Sequence, residues 1–433
     1  MRRIVAFTGA GLLALYALAL ALSNVVTLVD LQRDRLDGTV AQGQFEDYVA
    51  FYAAGRLVLD GRGRDIYDVD VLAAKEHEIM GREVGGTGTL AFFNPPFVAL
   101  LFAPLALLPV GEAGVVLLVL NVVLVAIAGA VLHRHLQIRS AWLNVAFWLG
   151  LASFESVFWL IAHDQLSMFL VLGFLGLFTF ERQEKPVLSG LTLALLLVKP
   201  QAALFALVIL VWKRRWATLA SFSAVAGVLV VTSAAVSGPS VLWEYPRYLL
   251  DSTGWEGSRG IDTHGMYGWN GFFSTVTAYR GTLHIALTSI ATMATLGAVL
   301  VAFRGRWQPA ASGFPLAIGV LAVGSLLTNP HVYLQDTVII GLALVLGFVG
   351  WRGKREMMSI WIAFSLVAWF LVSRTMELQA ERDLNLLTPF AAVIFGVLAW
   401  GASRQHSTES VAAPKSLLYD TPEVRIAEKR MAS

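Results

Sequence analysis

Cysteine is absent from the 433 residues, which excludes a disulfide framework and any thiolate-bound metal. Charge is scarce: Asp, Glu, Lys and Arg make up 14% of the chain against 57% hydrophobic residues, and mean hydropathy is +0.67. Soluble chains are about one-quarter charged, so this composition excludes an ordinary soluble globule and indicates an all-α polytopic membrane protein. A net charge of +2 is too small to suggest nucleic acid as a partner. The apolar runs hold almost no ionisable side chains and show no internal repeat. A lipid or solute transporter, the alternative from another class, would need both. Metal ligands at i, i+4 are missing too: His163 adjoins Asp164, and His133 and His135 are two apart. The sequence therefore calls for no divalent metal and no other cofactor.

What is present is a succession of apolar runs between two long polar loops. Met1-Arg2-Arg3 precedes a run from Ile4 to Val29. It is too long for a secretory signal and lacks a small-residue cleavage site, so it reads as a retained first span with its basic end in the cytoplasm. A first loop covers 30–95 and a second covers 237–281. Around them, runs at Phe97–Leu132, Ala141–Ile161, Leu166–Phe180, Val187–Val198, Ala202–Trp212, Trp216–Val236, Thr282–Phe303, Ser312–Thr328, Val332–Trp351, Met357–Val372 and Leu384–Trp400 complete one membrane domain over 1–402. Several are shorter than the ~20 residues a crossing helix needs, and length gives an estimate of about twelve crossings. Residues 403–433 mix charge with Ser, Pro and Ala and read as a disordered cytoplasmic tail.

Short basic connections mark the cytoplasmic face. Arg182 with Lys185, Lys213-Arg214-Arg215, Arg304 with Arg306, and Arg352 with Lys354-Arg355 are such connections. The opposite face then collects both long loops, His163-Asp164-Gln165, Lys199-Pro200-Gln201 and Asn329-Pro330-His331. This count requires Phe97–Leu132 to cross once, as a half-penetrating helix and a full span would. The other parity moves His133-Arg134-His135 outside.

Within the first loop, Asp47, Phe51, Ala54 and Val58 recur at three- and four-residue spacing and share one helical face. That face is apolar except for Asp47, leaving one carboxylate at the rim of a membrane-facing surface. Acids also start helices for purely structural reasons. Glu46 points about 100° away. A second helix is expected over Val69–Met80, ended by Gly85-Gly86-Thr87-Gly88. Prolines at 95 and 96 suit a helix entrance. Lys199 lies in otherwise apolar sequence, where its charge needs either an anion or a route to the interface. In the second loop, Arg247, Tyr248, Trp255, Arg259, His264 and Trp269 offer aromatic faces for sugar rings and cations for phosphate. An interfacial aromatic belt has the same composition.

The run Asp47-Tyr48-Val49-Ala50-Phe51-Tyr52-Ala53-Ala54-Gly55-Arg56, followed by Ile66-Tyr67-Asp68, resembles the first-loop signature of glycosyltransferase family 87. Tyr48 and Phe51 depart mildly from its usual pattern. Asn94-Pro95-Pro96-Phe97, Ala103-Pro104-Leu105 and Leu108-Pro109 resemble the family's aromatic-Pro-Pro and Pro-Leu elements, with Asn94 replacing a more usual Tyr. Asp164-Gln165-Leu166-Ser167 resembles a Gly-Gln element with Asp164 in the glycine's place. Lys199-Pro200-Gln201 and the run from Asn329 to Asp336 fit further family positions.

The resemblance implies a GT-C glycosyltransferase fold in the cell membrane. It implies inverting transfer of a hexose, mannose first, from a polyprenyl-phosphate donor to a lipid- or glycan-linked acceptor hydroxyl at the non-cytoplasmic face. A polyprenyl-phosphate-arabinose donor is the alternative. Asp47 takes the general-base role by this resemblance, and His331 falls near the donor phosphate. Lys199, Gln165, Tyr52 and Arg56 are expected on the donor side. The aromatic and basic residues of the second loop are expected as an acceptor wall.

Overall fold

The computed structural model describes residues 2–39, 47–84, 88–252, 255, 261, 263, 265–277, 281–382 and 384–411. Within them every element is helical, apart from an isolated bridge between Val84 and Gly88. Six helices are long and apolar enough to cross a membrane: Gly11–Asp37, Val110–Leu136, Trp216–Ser237, Thr282–Ala302, Arg355–Gln379 and Leu387–Arg404. Ala141–Ala152 and Glu155–Ala162, bent by 46° at their junction, together have the length and hydropathy of a further span. Four shorter apolar stretches, Pro186–Val198, Pro200–Trp212, Gly313–Thr328 and Leu334–Gly350, stand beside them, with the apolar helix Ser167–Arg182. The protein is thus a polytopic helical membrane protein.

The short helices have local causes. Pro200 lacks an amide hydrogen and interrupts the chain at Lys199, between two 3-10 turns. Gly313–Thr328 is apolar all round and buries every residue except Thr328, as a helix at the centre of a bundle must. The long run at 97–132 also resolves. A short helix, Pro96–Phe102, and a 3-10 turn, Leu105–Leu107, precede the single span Val110–Leu136. Arg352 donates to the His135 carbonyl at 2.6 Å and to Gln137 at 3.0 Å, so His133-Arg134-His135 lies at the end that carries the basic connections. Lys213 reaches the Gly305 carbonyl there, and Arg215 pairs with buried Glu181.

At the other end the first loop folds against the bundle. Val69–Met80 is helical, capped by Asp68, whose carboxylate accepts from the amides of Asp70 and Val71. It ends at Met80 as expected, but its stop is Gly81 with φ 66°, ahead of the expected Gly85–Gly88 run, because only glycine takes that left-handed turn at no steric cost. The Asp47–Leu59 helix buries nine of its 13 residues instead of lying on the membrane surface. It packs on Pro96–Phe102, and a Cβ at Gly55 would sit 2.8 Å from the Phe102 carbonyl carbon. Gly55 is what permits that approach.

Candidate active site

Asp47 is the first described residue of its helix, and its side chain is 30% exposed. It opens into a cavity of about 130 Å³ shared with Phe93, Asn94, Gln165, Lys199, Gln201 and His331. Four residues expected at the site, Asp47, Gln165, Lys199 and His331, therefore come together from four separate stretches of chain. The geometry around the carboxylate is close. Gln165 donates Nε2–H to Asp47 Oδ2 at 2.7 Å, and His163 Nδ1 lies 3.1 Å from the same oxygen. Burial works to raise the Asp47 pKa, but His163, Gln165 and the charge of Lys199 outweigh it and hold the carboxyl below its ordinary value. Asp47 is accordingly an ionised, anchored carboxylate facing a small polar cavity.

Lys199 receives its anion from the protein itself. Its ammonium stands 2.6 Å from Asp336 Oδ1, with the aspartate side chain 2% exposed. Ser167 donates to the same oxygen at 2.5 Å, while the Tyr333 amide reaches Oδ2 at 3.2 Å. The pair joins three segments, and Thr337, the next residue of the same turn, ties in a fourth through Ser156, 2.5 Å away. Asn94 Nδ2 donates to the Val198 carbonyl, fixing the backbone that presents Lys199. The His331 amide donates to Asn329 Oδ1 at 3.0 Å, and its ring stacks on Phe93 with centroids 5.0 Å apart.

Asp164 explains its own departure from the glycine of the resembling element. Its φ is 51°, a left-handed conformation that glycine adopts freely and aspartate tolerates better than most residues. Its carboxylate is fully buried against Arg35 at 2.7 Å. Arg35 also donates to the Ala162 carbonyl at 2.8 Å and covers the Tyr48 ring at 4.6 Å. Burial pushes the Asp164 carboxyl up to about 7, with Arg35 pulling against it.

Other expected residues lie elsewhere. Tyr52 and Arg56 turn away from the cavity onto the 104–108 backbone. Tyr52 Oη donates to the Leu108 carbonyl at 2.7 Å, and Arg56 reaches the Ala106 carbonyl at 3.2 Å. They follow Asp47 by five and nine residues, about 140° and about 180° around the helix, which turns them out of the cavity. Tyr248 is buried behind Phe93, between Tyr67 and Trp255, so these aromatics back the cavity wall without lining it. Trp269 donates to Thr295 and stacks on Phe273, and Arg247 is exposed away from the cavity. Arg259 and His264 lie outside the described residues. His163 and Asp336 were not expected at the site. His163 offered only its place beside Asp164-Gln165, and Asp336 only its place at the end of the Asn329–Asp336 run.

A second, larger cavity of about 490 Å³ is lined by apolar side chains, among them Leu13, Val125, Leu151, Val345 and Trp369. Met168 and Val338 also line it, each one residue beyond the Ser167 and Thr337 that knit the polar site. Among the described residues no group of three or more His, Asp or Glu side chains is placed to hold a metal ion.

The family model of glycosyltransferase family 87 matches residues 92–336, more than half of the chain. The match spans Asn94, Gln165, Lys199, Gln201, His331 and Asp336, while Asp47 lies before it. No curated protein and no solved structure matches the chain.

Proposed function

We propose, from the premise that this chain belongs to glycosyltransferase family 87 and is a membrane glycosyltransferase, that it is an inverting hexosyltransferase with a polyprenyl-phosphate donor. Mannose is the sugar put forward, and the acceptor is a hydroxyl of a lipid- or glycan-linked molecule. The reaction is placed at the non-cytoplasmic face of the cell membrane, since the cavity lies at the end opposite the basic connections.

The observation that carries the reading is the convergence of Asp47, Lys199 and His331 on one cavity. As the acceptor oxygen bonds to the anomeric carbon, its proton passes to the Asp47 carboxylate. The carbon–oxygen bond to phosphate breaks on the other side, and its electron pair leaves with the polyprenyl phosphate. The growing negative charge there is offset by Lys199, with His331 offering a ring nitrogen for a hydrogen bond. The apolar cavity beyond Ser167 and Thr337 gives an isoprenoid tail a place next to this site. No cofactor enters: the lipid-linked sugar phosphate is a substrate.

Transfer from synthetic polyprenyl-phosphate-mannose and polyprenyl-phosphate-arabinose is the test, run on purified protein in detergent with membrane glycolipids as acceptors. Mannose incorporation that disappears in Asp47→Asn is the expected outcome. Arabinose incorporation alone replaces the sugar, and full turnover by Asp47→Asn refutes the base.

A further inference from the structure

A carboxylate that serves as a base must be both ionised and aimed. Gln165 aims Asp47 but is neutral. His163 is the other group on Oδ2, and it alone of the two can add charge. Its ring is held from behind. Trp159 stacks on it with centroids 5.2 Å apart, and the Trp159 indole N–H is fixed by Glu155 Oε1 at 2.9 Å. Asp164, between His163 and Gln165, is fastened to Arg35, so the backbone carrying both donors is anchored as well.

We propose that His163 is a positioning residue for Asp47, forming a histidine–aspartate pair that fixes the carboxylate and keeps it ionised. This rests on the base reading given above. In the reaction the His163 ring stays paired with Oδ2 and takes no proton from the acceptor. Oδ1 is then the oxygen that receives the acceptor's proton as the glycosidic bond forms. Among the described residues, the other charged or titratable groups around the pair are Lys199, His331 and Tyr333 on the cavity side, Glu155 behind Trp159, and Asp164 with Arg35. The fall in the Asp47 pKa through His163 agrees with the geometry.

The test uses the full chain in detergent and two variants. His163→Phe keeps a flat ring for Trp159 but has no N–H. His163→Asn keeps an amide donor near Nδ1 and cannot become charged. The first readout is a pH titration by infrared difference spectroscopy, with the Asp47 band identified by its absence in Asp47→Asn. The second is kcat and KM for polyprenyl-phosphate-mannose, with membrane glycolipids as acceptors.

In His163→Phe, Asp47 is expected to titrate about one pH unit higher. Its kcat is expected to fall roughly tenfold, with KM for the donor unchanged, because a carboxylate held by Gln165 alone can swing out of alignment. His163→Asn is expected to recover most of kcat while its titration stays displaced upward. Wild-type titration and kcat in His163→Phe overturn the proposal. So does an unshifted titration in both variants with equal losses of kcat, the signature of a purely structural residue. The titration needs no turnover, so it still reports the pairing if Asp47→Asn proves active and the base reading falls.

Discussion

The Arg35–Asp164 pair yields a prediction that can be worked from its burial. Both side chains are wholly enclosed, 2.7 Å apart, so neither charge can be rehydrated if the other is removed. Breaking such a pair from one side costs about 3–5 kcal/mol. For a chain of this length that corresponds to a fall of roughly 4 °C in apparent Tm. Asp164→Asn strands a guanidinium that cannot lose its proton, and its deficit is expected to be flat above about pH 8, where wild-type Asp164 is ionised in both states. Arg35→Met strands a carboxylate that can neutralise itself.

The sign follows from burial, which already pushes Asp164 up to about 7 with Arg35 present. Without Arg35 the folded pKa rises further above the unfolded value. A group raised in this way favours the fold at low pH and loses that contribution as pH climbs toward the folded pKa. Wild type carries the same loss up to its own value of about 7, so the Arg35→Met deficit should be widest above the variant's folded pKa, shrink as pH falls to about 7, and level off below it. The double variant Arg35→Met/Asp164→Gly removes both charges and relaxes the left-handed residue, so it should approach wild type. Intrinsic tryptophan fluorescence in detergent, followed through thermal unfolding, reads all four proteins. Single variants within about 1 °C of wild type, or a double variant no better than either single, would refute the reasoning.

Three further outcomes are expected. Tyr52→Phe removes the hydroxyl bond to the Leu108 carbonyl and should lower stability by about 1 kcal/mol with kcat unchanged, since Tyr52 points away from the cavity; a loss of turnover at intact stability would return it to the site. Gly55→Ala places a methyl 2.8 Å from the Phe102 carbonyl carbon, and about 1–3 kcal/mol of destabilisation is expected, read as a lower apparent Tm in detergent. Lys199→Met leaves the buried Asp336 carboxylate without its cation. The result should be a lower apparent Tm and a higher KM for the lipid-phosphate donor, whereas stability lost with the donor KM unchanged would confine Lys199 to a structural part.

Much of the bundle was legible because its signals are local. Apolar runs marked spans, the helix over Val69–Met80 formed with the expected bounds, and basic connections sorted the two ends. The short helices were less legible. Gly313–Thr328 is too short to cross but apolar save for Ser325 and Thr328, and sequence cannot separate a buried central helix from a truncated span. Side-chain direction was the weaker inference at the site. Tyr52 and Arg56 share the Asp47 helix, yet the helical repeat carries them off its cavity face, a consequence that the spacing itself contained.

What the sequence could not display was pairing at long range. The requirement that Lys199 find an anion was readable, and a substrate phosphate answered it. Asp336, 137 residues away, answers it within the protein. The donor's phosphate therefore meets a lysine already neutralised, and binding must make Lys199 share or exchange a partner. That exchange places Asp336 in competition with the substrate. Asp336→Asn should then tighten donor binding by freeing the ammonium, even as it weakens the fold by loosening Ser167 and Tyr333. Donor affinity in Asp336→Asn, measured by quenching of intrinsic fluorescence, decides the matter. Weaker binding would make the aspartate the scaffold that aims Lys199.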